Sequence, residues 1–294
     1  MLDGVTLDQL RTFIAAVDQG SFSAAGRKLR RAQSVVSQTL ANLEAQLGVK
    51  LFDRSERYPK LTNEGRSLLV DARSVTDAMD AFKARARAMH EGVEPELAVA
   101  IDVMYPMAGL TEAASYSRKT FPHTSLRLYV EALGAVIKPV LDGTCNIGVI
   151  GSLPIVPDEL QDEPLLDIAM VTVVGATHPL AGTRGVVSKS ALQKQVQLVL
   201  TDRTTLSEGR EYGVLSPLTW RLGDLGAKHA FLRAGLGWGH MPLHIVQADL
   251  DARTLVRIRV ADAPRSMLMP MKVVFRKDAP PGPAARAFIA ELQQ

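Results

Sequence analysis

The sequence predicts an α/β protein in which a small helical unit ending in a wing is joined by one long helix to a larger domain of alternating strands and helices. Three patterns carry that prediction. Apolar residues recur at helical spacing from Leu7 to Leu47, a seam with alternating four- and three-residue steps runs from Leu68 to Met89, and short apolar runs alternate with amphipathic stretches beyond Pro95. The 294 residues suffice for about two domains.

In the first helix Leu7, Leu10, Phe13, Ile14 and Val17 share one face, and Asp18-Gln19-Gly20 closes it. A short second helix runs from Ser23 to about Leu29; Ser21 or Ser23 can cap it, and Ala24, Ala25 and Gly26 permit a tight corner. From Gln33 to Leu47 a third helix puts Val36, Leu40, Leu43 and Leu47 on an inward stripe and Ser34, Ser37, Gln38 and Ala41 on a short polar one. Gly48 ends it, and Val49 to Phe52 followed by Arg54 to Leu61 reads as two short strands around a basic turn.

Thr62 then caps a long helix carrying Leu68, Ala72, Val75, Met79, Phe82, Ala86 and Met89 as a heptad seam. About 30 residues at ~1.5 Å each make a rod near 45 Å, whose stripe must be buried against a partner or against its own domain. Gly92 and Pro95 end the helix. The clearest strands beyond it are Leu97 to Ile101, Leu126 to Val130, Ile147 to Ile150, Met170 to Val174, Val196 to Leu200 and Val273 to Phe275, which predict largely parallel sheets. No repeat at a fixed period interrupts this order.

Composition removes several function classes. With 47% hydrophobic and 22% charged residues and no apolar run near ~20 residues, an integral membrane protein is excluded. Met1 to Asp18 is amphipathic and acid-sprinkled, unlike an export signal, so a cytoplasmic protein is expected. The single cysteine, Cys145, supports neither an intramolecular disulfide nor a thiolate metal cluster. His240 and His244 stand four residues apart, but Pro242 between them argues against a helical metal pair. Neither a metal nor a cofactor is expected. Net charge is only +3, yet nine basic residues face four acidic ones between Arg27 and Arg66, which suits either a phosphate backbone or a solvated basic face.

Four fragments in the N-terminal segment resemble the winged helix-turn-helix of LysR-type transcriptional regulators. They are Leu10 to Val17 with Gly20-Ser21-Phe22-Ser23-Ala24-Ala25; Ala32-Gln33-Ser34-Val35-Val36-Ser37-Gln38; Leu43-Glu44 and Leu47-Gly48 with Leu51-Phe52 and Arg54; and Leu61-Thr62 with Gly65. Weaker fragments continue the match in order: Phe121-Pro122, Leu141-Asp142-Gly143, His178-Pro179-Leu180, and Ala234-Gly235-Leu236-Gly237 before Met241-Pro242. The resemblance implies three parts: a winged helix-turn-helix over residues 1–61, a linker and dimerisation helix over 62–92, and a two-lobed, periplasmic-binding-protein-like effector domain over 93–294. Lobe I would take about 93–162 and 267–294, and lobe II about 163–266.

The same resemblance implies that Gln33, Ser34, Ser37 and Gln38 lie nearest the base edges in the major groove, with Ser23, Arg31, Ala32, Asn42, Arg54 and Arg57 completing the DNA-binding set. Chemistry agrees: a glutamine amide matches adenine N6/N7, and arginines suit phosphates or the minor groove. Many family members carry arginine where this chain has Gln38, and proline where it has Ser34.

In the effector domain a ligand belongs where loops and helix N-termini follow strand ends. Those positions are Met104 and Tyr105, Glu131, Ile150 and Gly151, Thr201, Asp202 and Arg203, and Trp220 to Asp224, with Trp238 on the adjoining wall. Each tryptophan can stack on an aromatic effector or fill core; Arg203 can neutralise a carboxylate or pair with Asp202 or Glu208. Some members of the family sense peroxide through a cysteine pair. Cys145 has no mate, which leaves a buried small hydrophobe or an intermolecular redox role.

The combined expectation is a regulator that binds double-stranded DNA as a homodimer or homotetramer and answers to a small aromatic or carboxylated effector. RNA polymerase is a further candidate partner, and no bond is made or broken. The rival is a cytoplasmic binding protein or enzyme of the two-lobed fold with an N-terminal interaction module. Against an enzyme stands the lack of any nucleophile elbow, Walker loop or dinucleotide fingerprint at a strand-to-helix turn.

Overall fold

The computed structural model describes residues 4–55, 59–153, 155–207, 209, 213–262, 264 and 267–293. The chain forms two compact units, one reaching Arg87 and the other starting at Ala88.

In the first unit α1 (Leu7–Asp18) begins with a reciprocal cap: the Thr6 hydroxyl accepts the Gln9 N–H, and the Gln9 side chain accepts that of Thr6. Ser21 caps α2 (Phe22–Leu29). The corner to α3 (Gln33–Leu47) closes on Gly26, where a Cβ would stand 2.7 Å from the Arg31 carbonyl oxygen. Phe13, Val36, Leu40, Leu43 and Leu51 form the core, and Phe52 meets Phe13 and Phe22 edge-on. The wing pairs β1 (Phe52–Asp53) with β2 (Lys60–Leu61); its turn, with Arg57, lies outside the described residues. The Thr62 hydroxyl accepts the Gly65 N–H at 2.9 Å and starts α4 (Asn63–His90).

The second unit opens with β3 (Glu96–Asp102), α5 (Met107–Thr120), β4 (Ser125–Glu131), α6 (Gly134–Leu141) and β5 (Ile147–Ile150). The long β6 (Leu160–Gly175) carries the chain away into a second half made of β7 (Val186–Val187), α7 (Lys189–Gln193), β8 (Gln197–Leu200), β9 (Thr219–Leu222), α8 (Leu225–Arg233), β10 (Trp238–Pro242), α9 (Leu243–Asp251), β11 (Leu255–Arg257) and β12 (Arg259–Val260). Then β13 (Met267–Arg276) brings it back to α10 (Pro283–Leu292), which packs against α5 in the first half.

The main sheet has the order β4-β3-β5-β13-β6-β10-β8-β9, with β11 added on β6. Pairing is parallel within each half, in β4-β3-β5 and in β10-β8-β9. It is antiparallel wherever β6 or β13 takes part. The expectation of largely parallel sheets is therefore corrected: one strand leaves the first half and another returns, so the two must run in opposite directions. The Met170 to Val174 run is only the end of β6, whose first half, with Gln161, Asp162, Glu163 and Pro164, lacks a continuous apolar signal. β13 pairs with β6 along its length and slips register between Met271 and Lys272.

Candidate functional site

On α3 the inward stripe leaves Gln33, Ser34, Gln38 and Asn42 exposed and Ser37 half-buried. The Gln38 Nε2 donates to Asn42 Oδ1 at 2.9 Å, so the two amides form one polar unit one turn apart. Ala32 precedes the helix without a side-chain cap, which leaves N–H groups of the first turn open to an anion. Around this edge stand exposed Arg27, Lys28, Arg30 and Lys50, with Ser23 accepting from Arg27 at 3.1 Å.

Two of the expected arginines have partners within the unit. Arg31 grips Asp8 of α1 through two bonds of 2.7 and 2.8 Å, and that guanidinium holds the Asp8 carboxyl below its ordinary value. Arg54 donates to Glu44 at 2.9 Å and lies over the Phe22 ring. Glu44 is the residue that sequence reasoning missed here. Its buried carboxylate also accepts the N–H groups of Leu51 and Phe52, at 2.8 and 3.1 Å, and so fastens the wing to α3. An acidic residue beside Leu43 on the inward face of α3 was the available signal.

Along α4 the seam divides. Leu68 and Ala72 pack into the winged core, and Arg11–Asp80 and Arg73–Asp18 pairs, both at 2.5 Å, fasten α1 to the helix. Further along, Met79 is half-buried and Ala86 exposed, while Val75, Phe82 and Met89, seven residues apart, present large apolar groups to solvent.

In the second unit two cavities open between the halves. A wide one of about 870 Å³ is bordered by Glu131, Asp202, Arg203 and Asp224. A smaller one of about 310 Å³ is bordered by Met104, Gly151, Ser152, Lys228, His240, Met267 and Met269, and Thr201 borders both. The Asp102 carboxylate at the end of β3 accepts the N–H groups of Met104 and Ser152, at 3.0 and 2.7 Å, and the Ser152 hydroxyl. It thereby fixes two strand ends beside the smaller cavity, and burial pushes its pKa up. Asp224 spends one carboxylate oxygen as the cap of α8, accepting the Ala227 N–H at 2.6 Å.

Four expected effector residues stand elsewhere. Tyr105 is buried and donates to the Leu292 carbonyl at 2.8 Å, an anchor for α10; burial pushes its phenol up to about 12. Ile150 belongs to the core beneath α6. Trp238 is fully buried with its indole N–H on the Leu192 carbonyl at 3.2 Å, because its side of β10 faces α7. Trp220 lies on the edge strand β9, packed edge-on to Phe231 and outside both cavities.

Conversely, Lys228, His240, Ser152 and the Met267-to-Met269 run border the cleft without having been singled out for it. For Lys228 a signal existed: with Leu225 and Leu232 it occupies the buried stripe of α8, where a lysine is out of place. Burial lowers its pKa to about 8; burial first, and the Lys228 charge second, lower that of His240 to about 4.

No described helix is long and apolar enough to cross a membrane, and no described group of acidic, histidine or cysteine residues has the arrangement of a metal site. The family model of the LysR substrate binding domain matches residues 90–294, and that of the bacterial regulatory helix-turn-helix protein, lysR family, matches residues 7–66. The chain is 26% identical over 287 residues to the HTH-type transcriptional regulator AceR of Acinetobacter baumannii, covering 97% of this chain and 95% of that one. It is 32% identical over 251 residues to a probable hydrogen peroxide-inducible genes activator of Mycobacterium leprae, covering 81% and 78%. Among solved structures, the Corynebacterium glutamicum OxyR C206 mutant superimposes with a TM-score of 0.57 at 25% identity, over 98% of this chain and 92% of that one. A polar-edged third helix with its wing and two α/β halves around a cleft thus fall within family matches over residues 7–66 and 90–294: the chain belongs to the LysR family of transcriptional regulators.

Proposed function

We propose that this regulator reads duplex DNA with the exposed edge of α3 and changes its grip when a small molecule occupies the cleft of the second unit. The observation that carries the reading is the Gln38–Asn42 amide pair, standing with Gln33 and Ser34 on the open face of a helix whose N-terminus is uncapped. Amides supply paired donors and acceptors for base edges, while the surrounding cations supply phosphate contacts. Arg31 and Arg54, being tied to Asp8 and Glu44, would act on phosphates from fixed positions. A second copy joined through Val75, Phe82 and Met89 would present two such helices to a site of approximate dyad symmetry. Action in the cytoplasm without catalysis fits this role.

Mobility shifts against upstream DNA at two salt concentrations test it. Binding through several phosphates weakens steeply with salt. Gln38→Ala should change which sequences are preferred, at a cost of roughly 1–3 kcal/mol at the affected base. Equal loss on all sequences would remove α3 as the reading element.

A further inference from the structure

We propose that Lys228 anchors the carboxylate of a compact, otherwise apolar effector in the smaller cavity, an assignment that rests on the cleft being the effector site. Lys228 is 4% exposed and borders the cavity. Its ammonium has three N–H donors, and the protein partner it meets is the His240 carbonyl oxygen at 2.8 Å. No carboxylate among the described residues pairs with it. A desolvated cation without a counter-charge is costly, and an anion entering the cavity would remove that cost.

Among the buried polar groups of the wall the task falls to Lys228, while Arg221 borders the same cavity from an exposed position on β9. Gln197 is committed on both sides, donating to the Gly213 carbonyl and accepting from Leu215 and Ser216. The Ser152 hydroxyl donates to Asp102. His240 is held by Thr172 at 3.0 Å and by Gly213, and is neutral at pH 7. Around this single buried charge the wall is apolar and adaptable, with Met104, Met170, Met267 and Met269 among its residues. One buried cation in a largely apolar space of about 310 Å³, with the exposed Arg221 also on its border, suits a carboxylate on a compact apolar body.

The test uses the full chain and a probe set of acetate, hexanoate, octanoate and benzoate, each beside its amide. Binding is followed by calorimetry and by the methyl signals of Met104 and Met269. The expected result is that at least one acid shifts those methyls and binds roughly tenfold or more tightly than its amide. In Lys228→Met, and in Lys228→Gln should the first variant fail to fold, that preference should disappear. An acid that binds the variant as tightly as the wild type, or an amide that equals its acid, would overturn the anchor while leaving the cleft as a binding site. No response of the cavity methyls to any compound would remove both the anchor and the effector role of this cavity.

Discussion

Asp202 and Ala135 are tied together across the cleft: the Asp202 carboxylate accepts the Ala135 N–H at 3.0 Å, in the first turn of α6, and the Thr204 hydroxyl donates to the same oxygen at 2.6 Å. The helix N-terminus of one half is thereby satisfied by an acid from the other. Gly134 makes this approach feasible, since a Cβ there would fall 2.2 Å from the Thr204 hydroxyl oxygen and 2.8 Å from the Leu206 Cβ. Asp202→Ala should speed exchange of the Ala135 amide roughly tenfold, the equivalent of about 1.4 kcal/mol. Gly134→Ala should separate the halves by steric pressure, which small-angle scattering would register. Unchanged exchange in Asp202→Ala would mean that the contact does not hold the cleft.

Glu44 predicts a stability effect distinct from DNA contact. Glu44→Ala strands the buried N–H groups of Leu51 and Phe52 and releases Arg54. It should cost the winged unit about 3 kcal/mol, read by thermal or urea unfolding of the full chain. Arg54→Ala should cost less, because the Arg54 side chain is 41% exposed. A neutral Glu44→Ala would contradict the fastening role.

The exposed spacing of Val75, Phe82 and Met89 predicts self-association through α4. Phe82→Glu should shift sedimentation toward the monomer and lose DNA affinity while the circular dichroism stays native. A variant that remains fully associated would assign the contact to another surface.

Burial pushes the Cys145 thiol up to about 11. The thiolate fraction at pH 8 is then on the order of one in a thousand, too small for ready oxidation. Peroxide should leave DNA binding unchanged, and Cys145→Ala should behave as wild type in the same mobility shift, although a relative's name refers to hydrogen peroxide-inducible genes. Rapid alkylation of the native protein at pH 8 would refute this.

Lys228 gives a pH dependence of defined sign. Its folded pKa, about 8, lies below the unfolded value of 10.5, so between them the unfolded chain holds the extra proton and native stability rises with pH. Below pH 8 the full cost is present, about 3 kcal/mol. Ligand-free Lys228→Met should therefore melt higher than wild type at pH 7, with the advantage shrinking toward pH 10. A lower melting temperature at pH 7 would show that the ammonium is stabilising where it stands.

The winged unit was legible because its helices keep a clean period and end at residues that cap them: Gly48 after α3, Thr62 before α4. What sequence could not supply were pairings between distant segments. Glu44 reads as an ordinary helix acid until the wing folds over it, and Tyr105 reads as a pocket residue until α10 returns to it. For Trp238 the sequence leaves effector stacking and core filling both open, because a strand's two faces are indistinguishable without knowing which one meets α7. Lys228 lay within reach, since its stripe partners Leu225 and Leu232 were in plain view.

The excursion of the chain through β6 and back through β13 has a consequence for biosynthesis. The half built on β3, β4 and β5 begins before the insert and is completed after it, because α10, with Phe288 and Leu292 in its core, follows β13 in the chain. A nascent chain must therefore hold that sheet open while its entire insert emerges. A stop codon just ahead of Pro283 would spare the insert and α3 yet leave the half built on β3, β4 and β5 without the helix that closes its core.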